Sequence, residues 1–215
     1  MEVNEIQKLI WFQINQVFIL GKHEEELLDE KIILEAVNST QYCLQGMSNK
    51  YYEQQNGDKK INLYNSVMNC IFLYWLSRRL FLKGNLELAD KVYYLNKMLN
   101  SVELFYEVKL PHIWSCEHPL GSVMGRAEYG DYFYFYQGCT VGGNIKNDGT
   151  ITYPKIGKYV KMFSNSKILG SSRIGNNVII SANCYVKDQD IPDHTIVFGQ
   201  SPNLVFKDNN FAERR

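Results

Sequence analysis

The chain has 215 residues, of which 45% are hydrophobic and 21% are charged. This length suits one large domain or two small ones, and the apolar content supports a buried core, which excludes a disordered chain. The 23 basic side chains balance the 23 acidic ones, so no net field attracts nucleic acid or an anionic membrane. No apolar run approaches the ~18 residues of a membrane span, and the first residues lack the basic start of a signal peptide. We therefore expect a cytoplasmic protein that binds neither nucleic acid nor a membrane.

The five cysteines show neither a CxxC pair nor a Cys/His spacing typical of a metal site. They are predicted to be buried, reduced thiols, and no metal is expected. They are Cys43, Cys70, Cys116, Cys139 and Cys184.

Apolar residues recur at helical spacing from residue 4 to about residue 100. The pattern predicts a first helix that buries Ile6, Ile10 and Ile14, and a second helix over residues 24–46. A polar break is expected over residues 49–58, followed by a third helix over 62–82 and a fourth from residue 86. Residues 1–107 are thus predicted to form an α-helical domain of about four helices.

After Pro111 the apolar residues recur with a period of six. The second residue of each unit is often small, as in Gly130 and Ser181, and the fifth is usually small or β-branched. This period fits neither a helix nor an alternating strand. The predicted inward residues are Val123, Tyr129, Phe135, Val141, Ile156, Met162, Ile168, Ile174, Ile180 and Val186.

Units of six residues predict a coil with three flat faces, in which about 18 residues make one turn and each turn covers the next. This is the hexapeptide pattern of the left-handed parallel β-helix. The pattern breaks between Val141 and Ile156, where a loop at about 144–154 is expected to leave the coil. The predicted fold class is α+β, with a helical domain over 1–107 and a β-helix domain over 108–215 that ends in a C-terminal tail.

Four motifs follow one another along the β-helix domain: His118-Pro-Leu-Gly-Ser-Val-Met-Gly125, Tyr136-Gln-Gly-Cys-Thr-Val-Gly-Gly143, Tyr153-Pro-Lys-Ile-Gly157 and Lys167-Ile-Leu-Gly170. In this order they resemble the serine acetyltransferase branch of the hexapeptide acyltransferases. Members of this branch carry a helical domain before the β-helix and transfer acetyl from acetyl-coenzyme A (acetyl-CoA) directly to a hydroxyl. The resemblance therefore implies an acyltransferase without a covalent intermediate.

The resemblance places the catalytic histidine at His118. A neutral imidazole can accept the proton of an alcohol during attack on a thioester. Glu117 matches an acidic residue that helps to bind the acceptor. A carboxylate upstream orients the family's histidine, and here Glu103 or Glu107 could fill that role.

The resemblance also implies a site for the donor. Gly143, Ser164 and Ala182 match positions that hold the pantetheine arm, and they are expected one below another on successive turns. The backbone amides near Gly142 and Gly143 are candidates to stabilise the thioester oxyanion. Lys187 and Lys207 are predicted to meet the phosphates. A homotrimer is expected, and pairing of trimers into a hexamer through the helical domains is left open.

One departure from the branch concerns the acceptor. Thr152 and Tyr153 stand where the branch has an arginine and a histidine, and a carboxylate without a cationic partner is costly to desolvate. Tyr153, Tyr136 and Gln137 are instead predicted to bind a sugar. The sequence-based prediction is an O-acetyltransferase for a bacterial surface polysaccharide, such as a capsule or O-antigen, or for its precursor.

Other functions stay open at this point. The first alternative is a serine O-acetyltransferase of cysteine biosynthesis. A γ-type carbonic anhydrase uses the same coil but needs a zinc site of three histidines, which the repeats lack. A third alternative is a non-catalytic hexapeptide scaffold that only assembles partners, in which mutation of His118 would leave function intact. The outward members of the aromatic cluster over residues 129–136, which include Tyr134, could line an acceptor groove or fill a subunit interface.

Overall fold

The protein is described by a computed structural model that covers residues 1–47 and 61–210. Helices form its N-terminal part, and the polar break predicted over 49–58 lies outside the described residues. No helix in the described ranges is long and apolar enough to cross a membrane. The helices are α1 (Val3–Asn15), α2 (Lys22–Leu27), α3 (Glu30–Gly46), α4 (Ser66–Leu82) and α5 (Leu86–Asn100).

The predicted second helix is in fact two helices, which corrects the expectation of one helix over 24–46. Leu28 leaves the helical conformation with φ −84° and ψ 42°. Asp29 then starts α3, because its side chain accepts a hydrogen bond from the Ile32 N–H at 2.8 Å. Such an N-cap stabilises a helix by about 1 kcal/mol, and apolar spacing alone does not reveal the interruption.

Helix α4 is buried along most of its length and lies between α3 and α5. It also joins the helices to the coil. The Tyr74 hydroxyl donates to the Val108 carbonyl at 2.8 Å and accepts from the Leu110 N–H at 2.9 Å. The Cys43 thiol donates to the carbonyl of Trp114. The helical part therefore covers the open first turn of the coil and excludes water from it.

Short strands build the coil, and parallel pairs of them lie one turn apart. The first face contains β1, β4, β9, β12 and the start of β14, the second contains β2, β5, β10 and β13, and the third contains β3, β8 and β11. The strands are β1 (Trp114–Cys116), β2 (Val123–Met124), β3 (Glu128–Tyr129), β4 (Phe133–Phe135), β5 (Thr140–Gly142), β6 (Asn144–Ile145), β7 (Ile151–Thr152), β8 (Lys155–Ile156), β9 (Lys161–Met162), β10 (Lys167–Leu169), β11 (Arg173–Ile174), β12 (Ile179–Ile180), β13 (Tyr185–Lys187), β14 (Thr195–Gln200) and β15 (Asn203–Asp208).

The period of six predicts the coil interior well from Phe135 onward. Every predicted inward residue from there to Val186 is buried, and each such aliphatic side chain contributes roughly 1.5–3 kcal/mol. The first unit is an exception. Met124, not Val123, points inward, because Met124 is in register with the buried Val141.

Two antiparallel hairpins depart from the coil. Strands β6 and β7 pair within the predicted loop, so this segment is an ordered hairpin that leaves the corner after the second face. Strands β14 and β15 pair at the other end of the coil. The second hairpin covers the last turn, which would otherwise leave backbone groups unpaired.

Candidate active site

His118 lies at the corner that follows the first face. Parallel pairing continues one residue beyond β1, since the Glu117 N–H donates to the Phe135 carbonyl at 3.0 Å. His118 then adopts a left-handed conformation with φ 50°, and its carbonyl accepts from the Leu120 N–H at 2.7 Å. This tight turn leaves the side chain 72% exposed. The imidazole therefore extends from the coil, where a ligand can reach it.

Glu117 is the predicted site carboxylate that the structure brings to His118. Its Oε1 atom lies 4.0 Å from the His118 Nε2 atom. Glu103 lies beside Val123 in an isolated parallel bridge, and its carboxylate accepts from Lys97 at 2.6 Å. Its role as the orienting carboxylate therefore stays a prediction.

Glu107, the other upstream candidate, forms an ion pair with Arg126 at 3.1 Å. Both of these side chains are largely exposed. Each upstream carboxylate thus faces a cation, Glu107 facing Arg126 and Glu103 facing Lys97. The geometry therefore does not favour Glu107 over Glu103 as a partner of His118.

Two tyrosines contact Glu117 from the next turn of the first face. The Tyr134 hydroxyl donates to Glu117 Oε2 at 3.0 Å. Burial, together with the hydrogen bond and the charge of Glu117, raises the pKa of Tyr136. The Tyr136 ring stacks on Phe163 at 5.1 Å between centroids and 9° between planes. Sequence reasoning included Tyr134 in the outward aromatic cluster, as its place between the inward residues Phe133 and Phe135 indicates, but assigned only Tyr136 to the acceptor site and missed the contact from Tyr134 to Glu117.

Gln137, Ser164 and Ala182 follow one another on successive turns at the same corner as His118. The Asn165 N–H donates to the Gln137 carbonyl, and the Asn183 N–H donates to the Ser164 carbonyl. The side-chain oxygen of Gln137 is buried and has no hydrogen-bond partner within the described residues. Buried polar groups are normally paired, so this unpaired oxygen is an exception within the described residues.

Gly142 and Gly143 lie at a different corner, the one that follows the second face. Gly142 is in register with Leu169 and Lys187. A Cβ atom on Gly143 would lie 2.8 Å from the Tyr153 ring, so only glycine fits beneath that ring. The predicted column of Gly143 above Ser164 is therefore wrong. The loop shifts the register between them: Gly143 follows strand β5 on the second face, whereas Ser164 follows strand β9 on the first face.

The two lysines proposed for the donor phosphates lie toward the end of the coil. Lys187 lines two adjacent cavities of about 530 and 340 Å³. Lys207 is exposed on β15, where its Nζ atom lies 5.4 Å from the ring centroid of Phe198. The structure thus keeps Lys187 near the corner of Gly142 and puts Lys207 on the terminal hairpin.

Asp188 was missed by sequence reasoning and organises the corner beside Lys187. Its carboxylate accepts from the Ser171 N–H at 2.8 Å and from the Asn144 side chain at 3.1 Å. The hydrogen bond from the Ser171 backbone is the largest cause that lowers the pKa of Asp188. The second contact ties the β6–β7 hairpin to the coil. An Asp after a strand carries no signal for such a partner, since Asn144 is 44 residues away.

Metal ligands are not grouped in the described ranges, where no three His, Cys, Asp or Glu side chains could hold an ion together.

Comparison with known proteins finds similarity to one group of enzymes. No family model matches the chain. A serine acetyltransferase of Staphylococcus epidermidis is 30% identical over 139 residues, which is 64% of this chain and 64% of that relative. The match thus spans slightly less than two thirds of the relative's length.

Solved structures give the same result for the fold. The serine acetyltransferase of Neisseria gonorrhoeae in complex with serine superposes with a TM-score of 0.68 at 24% identity, over 90% of this chain and 81% of that chain. A serine acetyltransferase in complex with CoA gives a TM-score of 0.62 at 19% identity, over 83% and 75% of the two chains. The chain resembles the serine acetyltransferases.

These similarities confirm the predicted fold class, a helical part followed by a left-handed parallel β-helix. They also support the serine acetyltransferase-like branch of the hexapeptide-repeat acyltransferases. They contradict the predicted polysaccharide O-acetyltransferase and favour the serine acetyltransferase alternative. The sugar prediction depended on Thr152 and Tyr153, which stand where the branch has an arginine and a histidine. A change of residue type at these two positions does not by itself identify another acceptor.

Proposed function

We propose that the protein is a serine O-acetyltransferase that uses acetyl-CoA as the donor and serves cysteine biosynthesis. The observation that carries this proposal is the exposed His118 imidazole with the Glu117 carboxylate 4.0 Å from Nε2. Sequence similarity to the Staphylococcus epidermidis enzyme supports the choice of acceptor and donor.

In the proposed reaction His118 acts as the general base. It accepts the proton of the serine hydroxyl as the hydroxyl oxygen attacks the thioester carbonyl carbon. The carbon–sulfur bond then breaks, the proton passes to the departing sulfur, and the products are O-acetylserine and free CoA. The half-exposed Glu117 carboxylate stabilises the imidazolium that forms during attack, since opposite charges attract at this distance. Backbone amides at Gly142 and Gly143 are proposed to stabilise the oxyanion.

The donor site is proposed to lie between subunits of a homotrimer. Support comes from the distribution of the proposed donor residues over two corners of one chain, with Ser164 and Ala182 at one corner and Gly143 and Lys187 at the other. Packing about a threefold axis can bring one corner of a chain to the other corner of its neighbour. Lys207 is proposed to meet a phosphate from the terminal hairpin. The oligomeric state, trimer or hexamer, stays a prediction. So do the domain boundary at 107/108 and the cytoplasmic location.

Mass spectrometry tests the proposed acceptor. Purified protein is incubated with acetyl-CoA and L-serine, and O-acetylserine is sought as the product. L-Alanine, which differs from L-serine by the hydroxyl alone, is the matched control. O-Acetylserine formed with L-serine, and no acetylated product with L-alanine, is the expected result. Absence of O-acetylserine at saturating acetyl-CoA would refute the proposal.

A further inference from the structure

The first face of the coil carries outward aromatic side chains beside the catalytic corner. Residues one turn apart lie directly above one another, so Glu117, Tyr136 and Phe163 form one outward column. Tyr134 lies in the neighbouring column, and its ring contacts Lys161, whose Nζ atom is 5.2 Å from the ring centroid. The half-exposed Glu117 carboxylate thus lies at the end of an ordered row of aromatic rings.

We propose that Tyr134 is a positioning residue that holds the Glu117 carboxylate beside His118, so that Glu117 can receive the ammonium group of the acceptor. This inference rests on the proposed function, because it assigns a partner to the ammonium group of L-serine. Tyr134 contacts no reacting atom and acts through Glu117.

The two oxygens of Glu117 have different neighbours. Oε2 accepts the hydrogen bond from Tyr134 at 3.0 Å, whereas Oε1 is 4.0 Å from His118 Nε2. A glutamate on a surface has several rotamers of similar energy, and a second fixed contact removes that freedom. Hydrogen bonds to charged groups are stronger than those between neutral groups. The phenol therefore fixes the carboxylate while Oε1 stays open toward His118 and solvent.

The surroundings fix Tyr134 in turn. Its backbone N–H donates to the Val160 carbonyl at 2.9 Å, and the inward neighbours Phe133 and Phe135 are fully buried. The position of the phenol thus follows from the strand register of the coil and not from a loop. A rigid donor on a strand is the kind of support that keeps a binding group in place.

Tyr136 adds a second contact on the same carboxylate. Burial is the largest cause of its raised pKa, followed by the hydrogen bond and charge of Glu117. The phenol is therefore protonated at neutral pH and stays a donor.

The kinetic test uses Tyr134→Phe, which removes the hydroxyl and keeps the ring over Lys161. Since Glu117 binds the acceptor and also stabilises the imidazolium, KM for L-serine should rise about tenfold and kcat should fall, while KM for acetyl-CoA stays within about twofold. The same variant should narrow the preference for L-serine over 3-hydroxypropionate, which is serine without its ammonium. Tyr132→Phe is the matched control, because Tyr132 stacks on Tyr159 at another corner.

A double-mutant cycle separates positioning from a general effect on folding. In the Glu117→Gln background, Tyr134→Phe should change KM for L-serine by less than about twofold. Equal effects of Tyr134→Phe in both backgrounds, or a rise in KM for acetyl-CoA of the same size, would overturn the proposal.

NMR tests the contact without any turnover, so failure of the proposed function and failure of this inference can be told apart. If the wild type does not acetylate L-serine, the proposed function fails. The Cζ resonance of Tyr134, followed at neutral pH with tyrosine labelled at Cζ, then decides the present inference. Glu117→Gln removes the charged acceptor of the Tyr134 hydroxyl and should shift this resonance. An unchanged Tyr134 resonance would show that this phenol does not hold the carboxylate in solution.

Discussion

Replacing Gly157 with alanine should destabilise the coil, because successive turns touch through their glycines. A Cβ atom on Gly157 would lie 2.6 Å from the Gly175 carbonyl oxygen and 2.7 Å from its carbonyl carbon. Ordinary contacts begin near 3.4 Å, so the two turns must separate by about 0.8 Å. Neither atom belongs to a flexible side chain that could move away.

Overpacking of this kind costs about 2 kcal/mol at the unfolding midpoint, which lowers Tm by about 4–8 °C in a chain of this size. Thermal unfolding followed by circular dichroism and the urea midpoint at fixed protein concentration measure the effect. Gly142→Ala is the matched control, since a Cβ atom there meets only the Leu169 Cδ2 atom at 3.7 Å. Equal Tm values for the two variants would refute the close stacking of turns.

Three further predictions concern other parts of the molecule. Burial raises the pKa of Glu24, but hydrogen bonds from Lys91 and from the backbone outweigh burial and lower it. The Glu24–Lys91 pair therefore stabilises the fold above pH 4.5, and this stabilisation is lost as the pH falls through the folded pKa of Glu24. Urea midpoints at several pH values should show that loss in the wild type but not in Glu24→Gln. All five cysteines are buried, so a thiol reagent such as DTNB should react with none in the native protein and with five in urea. Asp188→Ala should release Asn144 and speed proteolysis within the β6–β7 hairpin, whereas unchanged cleavage would contradict that anchor.

The sequence predicts the coil because its interior repeats. Each inward position is a local choice of an apolar residue every six, so the pattern locates buried residues from Phe135 to Val186 without knowledge of any partner. The method fails where a contact depends on another part of the chain. Met124, and not Val123, lies inside the coil because pairing with β5 sets its register. The period of six does not specify the register of one strand against another.

The candidate site also has one part that the sequence predicts and one part that it does not. The motif around His118 could be recognised, and its exposure follows from the turn beside Pro119. The contact from Tyr134 to Glu117 spans 17 residues and the contact from Asn144 to Asp188 spans 44. Outward positions accept many residue types, so composition there does not name a partner. The same lack of constraint explains the wrong inference from Tyr153 to a sugar.

The most direct test of the account measures serine-dependent release of CoA from acetyl-CoA by wild type and His118→Ala. A general base contributes about 10²–10⁴ to the rate, so the variant should lose at least about a hundredfold in kcat while it still binds acetyl-CoA. His23→Ala, an exposed histidine on α2, is the matched control and should retain full activity. Wild-type turnover that persists in His118→Ala would contradict the central claim.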